Sequence, residues 1–568
     1  MDDGQTTLPR LRDYSRPLTA AAILGVVLLT GGIALGLHSL FFAAGNPVAT
    51  EPRGSGGIAH ELGVFATALG VAALLALAGA LRWSRSLQAA GFGNVPTVAM
   101  HLIVVAEFVI SLKLDIRDTV MRTFEHYSRF PQLPVAVAAW ILTVVGTVLV
   151  LGASFSPPVR GALSRRSGAT MAMIGVLVCA VATGVAVRAG DDSRFFDHRP
   201  APPAAAAPLP TRLGAEQFRL DLPSSAAVVA GGPGFLVGTG TGITAYDGVT
   251  GTPRWHHLRP GAHKKGVHLD ISSLAVIEPE NVVIAYWNSL GWKAYDAATG
   301  ESLWTASDFS RDRTTDLSAV ESAAPLPILA RRDGGALIRY DARTGRRMWS
   351  TPRVPVGCAK QQSTTAITST AVYQVMPCGT GSTATTTILA LDALTGTPIA
   401  QRDLPAPASR QVPDVSVVDD VVSVDWDHVA GPLRHVHFTS PDDLRTAEVT
   451  EPASVLSADP AAVLSTRGKR TTLTERADPA VARPLPVIIG HAEFSVPNRE
   501  TLLLAEEVVS IDDGLRTWHR GDLVENTPPT GLARCDPAQL LPAPGIVLVL
   551  CAAVTTAETQ QIIGASPR

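Results

Sequence analysis

Ala245-Tyr246-Asp247-Gly248-Val249-Thr250-Gly251, with Trp255 four positions beyond the glycine, is the stretch on which the reading of this chain turns. It returns as Ala294-Tyr295-Asp296-Ala297-Ala298-Thr299-Gly300 with Trp304, and as Arg339-Tyr340-Asp341-Ala342-Arg343-Thr344-Gly345 with Trp349. A fourth copy, Ala390-Leu391-Asp392-Ala393-Leu394-Thr395-Gly396, has Ala400 where the others have tryptophan. The aspartates lie 49, 45 and 51 residues apart. Such a period is the length of one unit of four short strands and their turns.

Each copy has a mechanical reading. An alternating strand ends at the aspartate, whose short side chain accepts hydrogen bonds from the amides of the turn, and glycine supplies the positive φ with which the chain reverses. The following strand carries the tryptophan, a large flat ring suited to filling the space between neighbouring sheets. Asp247, Gly251, Trp255, Asp296, Gly300, Trp304, Asp341, Gly345, Trp349, Asp392 and Gly396 are therefore expected as structural repeat residues, with no catalytic residue and no metal ligand among them. Worn copies are expected at Asp512-Asp513-Gly514 with Trp518 and, more weakly, at Ser440-Pro441-Asp442-Asp443.

The tandem Tyr-Asp-x-x-Thr-Gly-x-x-x-Trp pattern, clear over residues 243–400, resembles the repeat of the PQQ-like β-propeller superfamily. The resemblance implies an all-β propeller of seven or eight four-stranded blades over residues 216–568, with Phe218 to Leu222 closing the ring against Ile546 to Cys551. It also implies one of two functional classes, because a fold does not determine an activity. Quinoprotein dehydrogenases hold PQQ and calcium on the propeller axis and use an aspartate as base; the other class consists of bare scaffolds that organise partners through their loops. The dehydrogenases lengthen several blades to build a pocket, whereas 353 residues over eight blades leave 44 each. The vicinal cysteine pair of the alcohol-oxidising members is absent too. The expectation is thus a binding or assembly scaffold without a cofactor. A PQQ- and calcium-dependent sugar or alcohol dehydrogenase feeding membrane quinone is the alternative, and an envelope sensor a further one.

Ahead of the repeats the composition changes. The chain has 568 residues, of which 46% are hydrophobic and only 17% charged, and its formal net charge of -3 gives no basic field for nucleic acid. The apolar excess is concentrated in five runs near residues 18–42, 59–81, 95–112, 133–154 and 169–187, read as membrane spans of an α-helical domain over residues 18–188. Residues 1–17 form the N-terminus. The run at 95–112 is short and contains Glu107, so a re-entrant segment competes with a full span there. Arg10, Arg12 and Arg16 precede the first run and only Arg53 follows it, which places the N-terminus in the cytoplasm by the positive-inside bias. Counted over all short loops the bias cancels, so a second line of argument is needed.

Cysteine usage supplies it. Cys358, Cys378, Cys535 and Cys551 form an even set in the C-terminal part, with intervals of 20 and 16 residues, and read as two local disulfides. Disulfides persist in oxidising compartments, which places this part outside the cytoplasm; buried free thiols are the competing reading. Residues 189–215, with Pro200, Pro202, Pro203, Pro208 and Pro210 among alanines, read as an extended tether. The expected partners are the lipid bilayer and an unknown envelope protein or polymer, and the expected location is the plasma membrane, crossed several times.

Other candidates are weaker. His256, His257, His263 and His268 with Arg259, Lys264 and Lys265 read as a loop able to contact an anionic polymer, and their spacing matches no compact zinc pattern. Gly238-Thr239-Gly240-Thr241-Gly242 leads into a strand and reads as a hairpin, not a phosphate loop. His38, His60, Glu61 and Glu107 are ionisable groups in or beside the apolar runs and are suspects for a proton, quinol or ligand site. Residues 113–130 read as a surface helix or a connecting loop.

Overall fold

The computed structural model describes residues 15–43, 62–75, 132–154, 165–260, 268–277, 280–287, 290–306, 328–331, 337–351, 358, 364–379, 385–405, 413–426, 434–438, 440–445, 454–467, 470–477, 482–485, 500–511, 515–526, 538–551 and 559–566. The chain divides into two compact units, residues 1–195 with 265–267 and residues 196–264 with 268–568.

The first unit is helical: α1 Ser15–Ala43, α2 Leu62–Leu75, α3 Gln132–Ser154 and α4 Arg165–Ala189. Of these, α1, α3 and α4 are long and apolar enough to cross a membrane, so among the described residues the count is three spans and not five. The run at 59–81 contributes the shorter α2, and the candidates at 95–112 and 113–130 lie outside the described residues. His38 lies in α1, whereas His60, Glu61 and Glu107 are outside the description. Helices α1 and α3 approach at glycine: a Cβ on Gly25 would stand 2.9 Å from the Gly146 carbonyl oxygen, and one on Gly146 would stand 2.8 Å from that of Gly25. Small residues let apolar helices pack backbone to backbone where lipid offers no hydrophobic drive. The hydroxyls of Thr143 and Thr147 donate back to the carbonyls of Ala139 and Thr143, at 2.8 and 2.7 Å, and so carry no unsatisfied donor into apolar surroundings.

The second unit is all-β and holds eight antiparallel sheets. Sheet 1 is built from Ala227–Gly231, Gly234–Thr239, Gly242–Asp247 and Pro253–Leu258, with Asp197–Arg199 added on its outer edge. Sheet 2 comprises Leu269–Ile277, Val282–Trp287, Gly291–Asp296 and Ser302–Ala306. Sheet 3 has Ile328–Arg331, Leu337–Tyr340 and Arg347–Ser350, and sheet 4 has Thr364–Ile367, Ala371–Cys378, Thr385–Asp392 and Pro398–Pro405. Sheet 5 has Asp414–Val418, Val421–Trp426 and Arg434–Phe438, and sheet 6 has Ser454–Ala458, Ala462–Arg467, Arg470–Glu475 and Ala482–Pro484. Sheet 7 has Thr501–Leu503, Glu507–Ser510, Arg516–His519 and Glu525–Asn526. Sheet 8 joins Ala538–Ala543, Ile546–Cys551 and Thr559–Ala565 to Glu216–Pro223. The strand number is not uniformly four among the described residues: five sheets have four strands, two have three and one has five.

Sheet 8 takes its outer strand from the start of the unit and the other three from its end. The partner of Phe218 to Leu222 is Thr559–Ala565, with Leu220 opposite Ile562, and Ile546–Cys551 lies one strand further in. The expected direct pairing with Ile546 to Cys551 is corrected accordingly: a last strand, Thr559–Ala565, stands between them. First strands contact one another from sheet to sheet: Ala227–Gly231 with Leu269–Ile277, Thr364–Ile367 with Asp414–Val418, Ser454–Ala458 with Thr501–Leu503, and Ala538–Ala543 with Ala227–Gly231. The cores lie between sheets. One gathers Tyr373, Val375 and Ile388 of sheet 4 with Val422, Val424 and Phe438 of sheet 5; another gathers Phe235 and Val237 of sheet 1 with Ala543, Ile546 and Leu548 of sheet 8.

The proline-rich segment expected as a free tether is laid along this unit from Asp197 onward. Asp197, His198 and Arg199 pair with Leu258, His257 and His256. The Ala201 amide donates to the Thr299 carbonyl of sheet 2 at 2.8 Å, and the Arg254 guanidinium of sheet 1 donates to the Pro202 carbonyl at 3.0 Å. The Gly545 amide of sheet 8 donates to the Pro208 carbonyl at 3.0 Å, and the Glu506 amide beside sheet 7 donates to the Thr211 carbonyl at 3.1 Å. Leu213 is 1% exposed and lies in the core with Leu502, Val509, Leu540 and Val547. A chain whose prolines pre-set an extended backbone loses little entropy when it is fixed in this way.

Candidate functional site

The repeat residues meet at the seams between sheets. At each hairpin the aspartate carboxylate takes the turn: Oδ1 of Asp247 accepts from the Val249 amide at 3.1 Å, the Thr250 amide at 2.9 Å and the Thr250 hydroxyl at 3.0 Å. Asp296, Asp341 and Asp392 accept in the same way from Thr299, Thr344 and Thr395. The glycine amide closes the turn onto the aspartate carbonyl at 2.8 Å in all four copies, with φ between +66 and +76°. A bulge follows at a constant place: Ala245 faces Trp255 but Tyr246 faces Pro253, and the other copies shift at the equivalent step. A bulge re-aims the side chains beyond it. Here it lies beside each tryptophan.

The indole then reaches the next sheet. Nε1 of Trp255 donates to the Ala297 carbonyl at 2.9 Å, that of Trp304 to Ala342 at 2.7 Å and that of Trp349 to Ala393 at 3.1 Å. The ring lies on the glycine of the neighbouring turn, since a Cβ on Gly300, Gly345 or Gly396 would come within 2.5 to 2.9 Å of Trp255, Trp304 or Trp349. Gly251 has no preceding tryptophan, and Phe218 of the strand that closes sheet 8 covers it instead. Ala400, in the tryptophan position of sheet 4, is 6% exposed, and the core it belongs to between sheets 4 and 5 is filled by aliphatic side chains together with Tyr373 and Phe438.

The turn hydrogen bonds have an electrostatic consequence. At Asp392 the amide and hydroxyl of Thr395 hold the carboxyl below the usual carboxylate range. The associated stability is present above the ordinary aspartate pKa and is lost as pH falls through the lowered one. We expect Asp392→Ala to cost about 1–2 kcal/mol, the scale of hydrogen bonds to a charged acceptor, and Asp392→Asn to recover part of it. Urea unfolding of the two variants measures this; equal losses for both would remove the charge from the account.

A second cluster lies where the Asp197–Arg199 strand meets sheets 1 and 2. The Phe196 ring stacks on His257 with centroids 4.4 Å apart and meets Trp287 edge-on at 5.0 Å. Lys293 Nζ lies 4.4 Å from the Phe196 centroid, and the Arg259 guanidinium 5.4 Å. The two imidazoles share a hydrogen bond, His198 Nδ1 to His257 Nδ1, at 3.1 Å, and His256 Nε2 lies 3.2 Å from Asp197. Beneath them the Trp287 indole donates to the Tyr295 hydroxyl at 3.1 Å, and burial pushes the phenol pKa up. Burial, then Lys293, His198 and His256, bring the His257 pKa down to about 3. Burial, then His256 and Lys293, lower that of His198.

His256 and His257, expected in a loop, therefore sit in the strand Pro253–Leu258; alternation turns successive side chains to opposite faces, and His257 is buried. His268 precedes the first strand of sheet 2, while His263, Lys264 and Lys265 lie outside the described residues. Gly238 to Gly242 connect two strands of sheet 1 as a hairpin. Trp518 is 1% exposed in sheet 7, and Asp512 to Gly514 lie outside the description. Asp442 precedes the short 3-10 turn Asp443–Arg445, whose Leu444 is buried against sheet 4. Cys358 and Cys378 are disulfide-bonded, as is Cys551; Cys535 lies outside the described residues. Among the described residues no group of three or more His, Cys, Asp or Glu is placed to hold a metal ion. Sequence reasoning missed Phe196, His198, Trp287 and Lys293, and it placed Phe218 in the closing strand without its packing on Gly251. For Phe196 and His198 the signal was the aromatic, strand-forming start of a segment dominated further on by proline; Trp287 and Lys293 lie in sheet 2 and carry no such mark.

Residues 161–334 match a family model for PQQ repeats described as outer membrane protein assembly factor BamB. The match covers α4, the segment after it, the strand Glu216–Pro223 of sheet 8, sheets 1 and 2, and the first strand of sheet 3. No curated protein matches the chain. Among solved structures, BamB from Moraxella catarrhalis is similar at 14% identity, covering 62% of this chain and 100% of its own, with a TM-score of 0.35. Sqt1 from Saccharomyces cerevisiae is similar at 10% identity, covering 63% of this chain and 100% of its own, with a TM-score of 0.36.

Proposed function

We propose that the chain, matched over residues 161–334 by the model for PQQ repeats and carrying apolar helices ahead of its β unit, is an integral membrane protein holding an extracytoplasmic propeller as a binding or assembly scaffold. The observation that supports this most is the use of the repeat residues. Asp247, Asp296, Asp341 and Asp392 are taken up by their own turns, and Trp255, Trp304 and Trp349 by the adjacent sheets. The motif builds seams and leaves recognition to the loops, where binding residues concentrate on rigid scaffolds.

The eight sheets are read as blades of one ring, supported by the sheet-to-sheet contacts and by sheet 8, which draws strands from both ends of the unit. The N-terminus is read as cytoplasmic from Arg10, Arg12 and Arg16 before α1, and the β unit as external from its disulfides. An odd number of crossings satisfies both. The partner is read as an envelope protein, in keeping with the assembly role named in the matched family's description. We read the domain as working without a cofactor.

Two measurements test this. Cross-linking in intact cells followed by mass spectrometry should recover one protein in stoichiometric yield through loops of the β unit; recovery of lipid-embedded neighbours alone would overturn the scaffold reading. Incubating the full chain with PQQ and calcium should give no stoichiometric cofactor spectrum. Such a spectrum, with dye-coupled oxidation of a sugar or alcohol, would replace the scaffold by a dehydrogenase.

A further inference from the structure

We propose that the strand Asp197–Arg199 is held on sheet 1 by an acid-sensitive clasp, closed by the neutral His198–His257 pair around Phe196 and opened when these imidazoles take up protons. The strand is only three residues long and pairs on one side, with Pro253–Leu258. Three residues at a sheet edge provide little holding energy of their own, and the chain beyond is pinned only from Ala201 onward, so the side-chain cluster contributes much of what keeps the strand docked.

The geometry makes that cluster depend on protonation. In a hydrogen bond between two Nδ1 atoms one imidazole donates and the other accepts, so His198 and His257 cannot both be protonated and keep the 3.1 Å contact. The charged or titratable groups around the pair are Asp197 and Arg199 from the docked strand, His256 and Arg259 from the chain beside His257, and Lys293 from sheet 2. Tyr295 also faces His257, at 4.9 Å between ring centroids, and stays neutral at these pH values because its pKa is raised. Among the described residues, only Asp197 of these six charged or titratable neighbours is a carboxylate, and it already contacts Arg199 at 3.3 Å and His256 at 3.2 Å. New positive charge on His198 or His257 thus meets Lys293 and Arg259 across the Phe196 ring, with no carboxylate of its own.

The sign follows from linkage. Both imidazoles have lower pKa values docked than the ordinary histidine value, so the released state binds more protons. The histidine contribution to docking is present in full above about pH 6.5 and is lost progressively as pH falls below it. For His257, with a docked value of about 3, the release equilibrium rises by about thirtyfold between pH 7.5 and pH 5 if release exposes the ring to water. Release also uncovers the Pro253–Leu258 edge of sheet 1.

Hydrogen exchange on the full chain in lipid nanodiscs tests the clasp. Exchange of a peptide spanning residues 196–201, corrected for intrinsic rate, is compared with one from Thr385–Asp392 of sheet 4. We expect the first to lose protection by at least tenfold between pH 7.5 and pH 5, and the second to hold. His198→Gln with His257→Gln should flatten the dependence. Lys293→Met should reduce its slope by allowing a proton onto His257 in the docked state. Should the double variant fail to fold, His198→Gln alone, on the exposed strand, must still reduce the slope. Equal protection at both pH values in the unaltered chain, or an unchanged slope in the histidine variants, overturns the proposal.

Discussion

Gly300→Val should destabilise the β unit by about 4 kcal/mol or more, one of the two largest effects expected of any local change in this chain. Two costs combine. Gly300 has φ +76°, a conformation in which a β-branched residue costs about 1–2 kcal/mol. Its Cβ would also stand 2.5 Å from the Trp255 ring, a contact that only movement of the indole can relieve. Trp255 is 1% exposed and is fixed by its bond to Ala297, so moving it opens the seam between sheets 1 and 2. Emptying a buried tryptophan site costs about 3–5 kcal/mol. Urea unfolding of the full chain in detergent, followed by tryptophan fluorescence, measures the loss. A double-mutant cycle separates the terms: Gly300→Ala should cost less in a Trp255→Ala background, because the clash has gone, whereas the φ cost remains. Simple additivity would mean that the ring and the glycine do not meet.

That pairing explains what could be read from the residues beforehand. Asp, Thr and Gly declare themselves because a tight turn restricts chemistry at fixed offsets, and four copies make the offsets visible. Strand alternation around each turn is equally legible. The bulge beside each tryptophan is not, because a bulge inserts no characteristic residue type; Arg254, Leu303, Met348 and Ile399 share nothing at that place. Phe218 is hidden for another reason. The closing strand that holds it could be anticipated, but its packing on Gly251 could not, because that contact joins residues of two different sheets and no local pattern marks it. His257 illustrates a third case: neighbouring histidines and lysines suggest a solvated loop, but strand alternation buries one imidazole of the pair under Phe196. Proline content misled in the opposite sense. In composition it reads as an extended spacer, yet the same stiffness suits a segment laid along the sheets it bonds to.

Replacing residues 200–213 by a glycine-serine segment of equal length should loosen the sheets on either side of the junction between sheets 1 and 8. The segment bonds to sheets 1 and 2 through Pro202 and Ala201, and to sheets 8 and 7 through Pro208 and Thr211. Beyond these, Arg212 pairs with Glu506, and the Leu213 amide donates to the Glu507 carboxylate at 3.1 Å. It therefore straps across the place where the strand from the start of the unit joins those from its end. Leu213 supplies most of the apolar term. Leu213→Ala alone should cost about 2–5 kcal/mol, the range for truncating a buried leucine. Arg212→Ala should cost under about 1 kcal/mol, since its ion pair with Glu506 is open to solvent. The full replacement adds the loss of the backbone bonds, each worth about 1 kcal/mol, and the entropy that glycine returns to the free chain. The damage should be local before it is global. Exchange protection should fall first in Glu216–Pro223 and Thr559–Ala565 of sheet 8, ahead of Thr385–Asp392 in sheet 4, which the segment does not touch. Uniform loss across sheets 4 and 8 would show that the strap serves the unit as a whole and not this junction, and unchanged protection in both would reduce it to the spacer that its composition suggests.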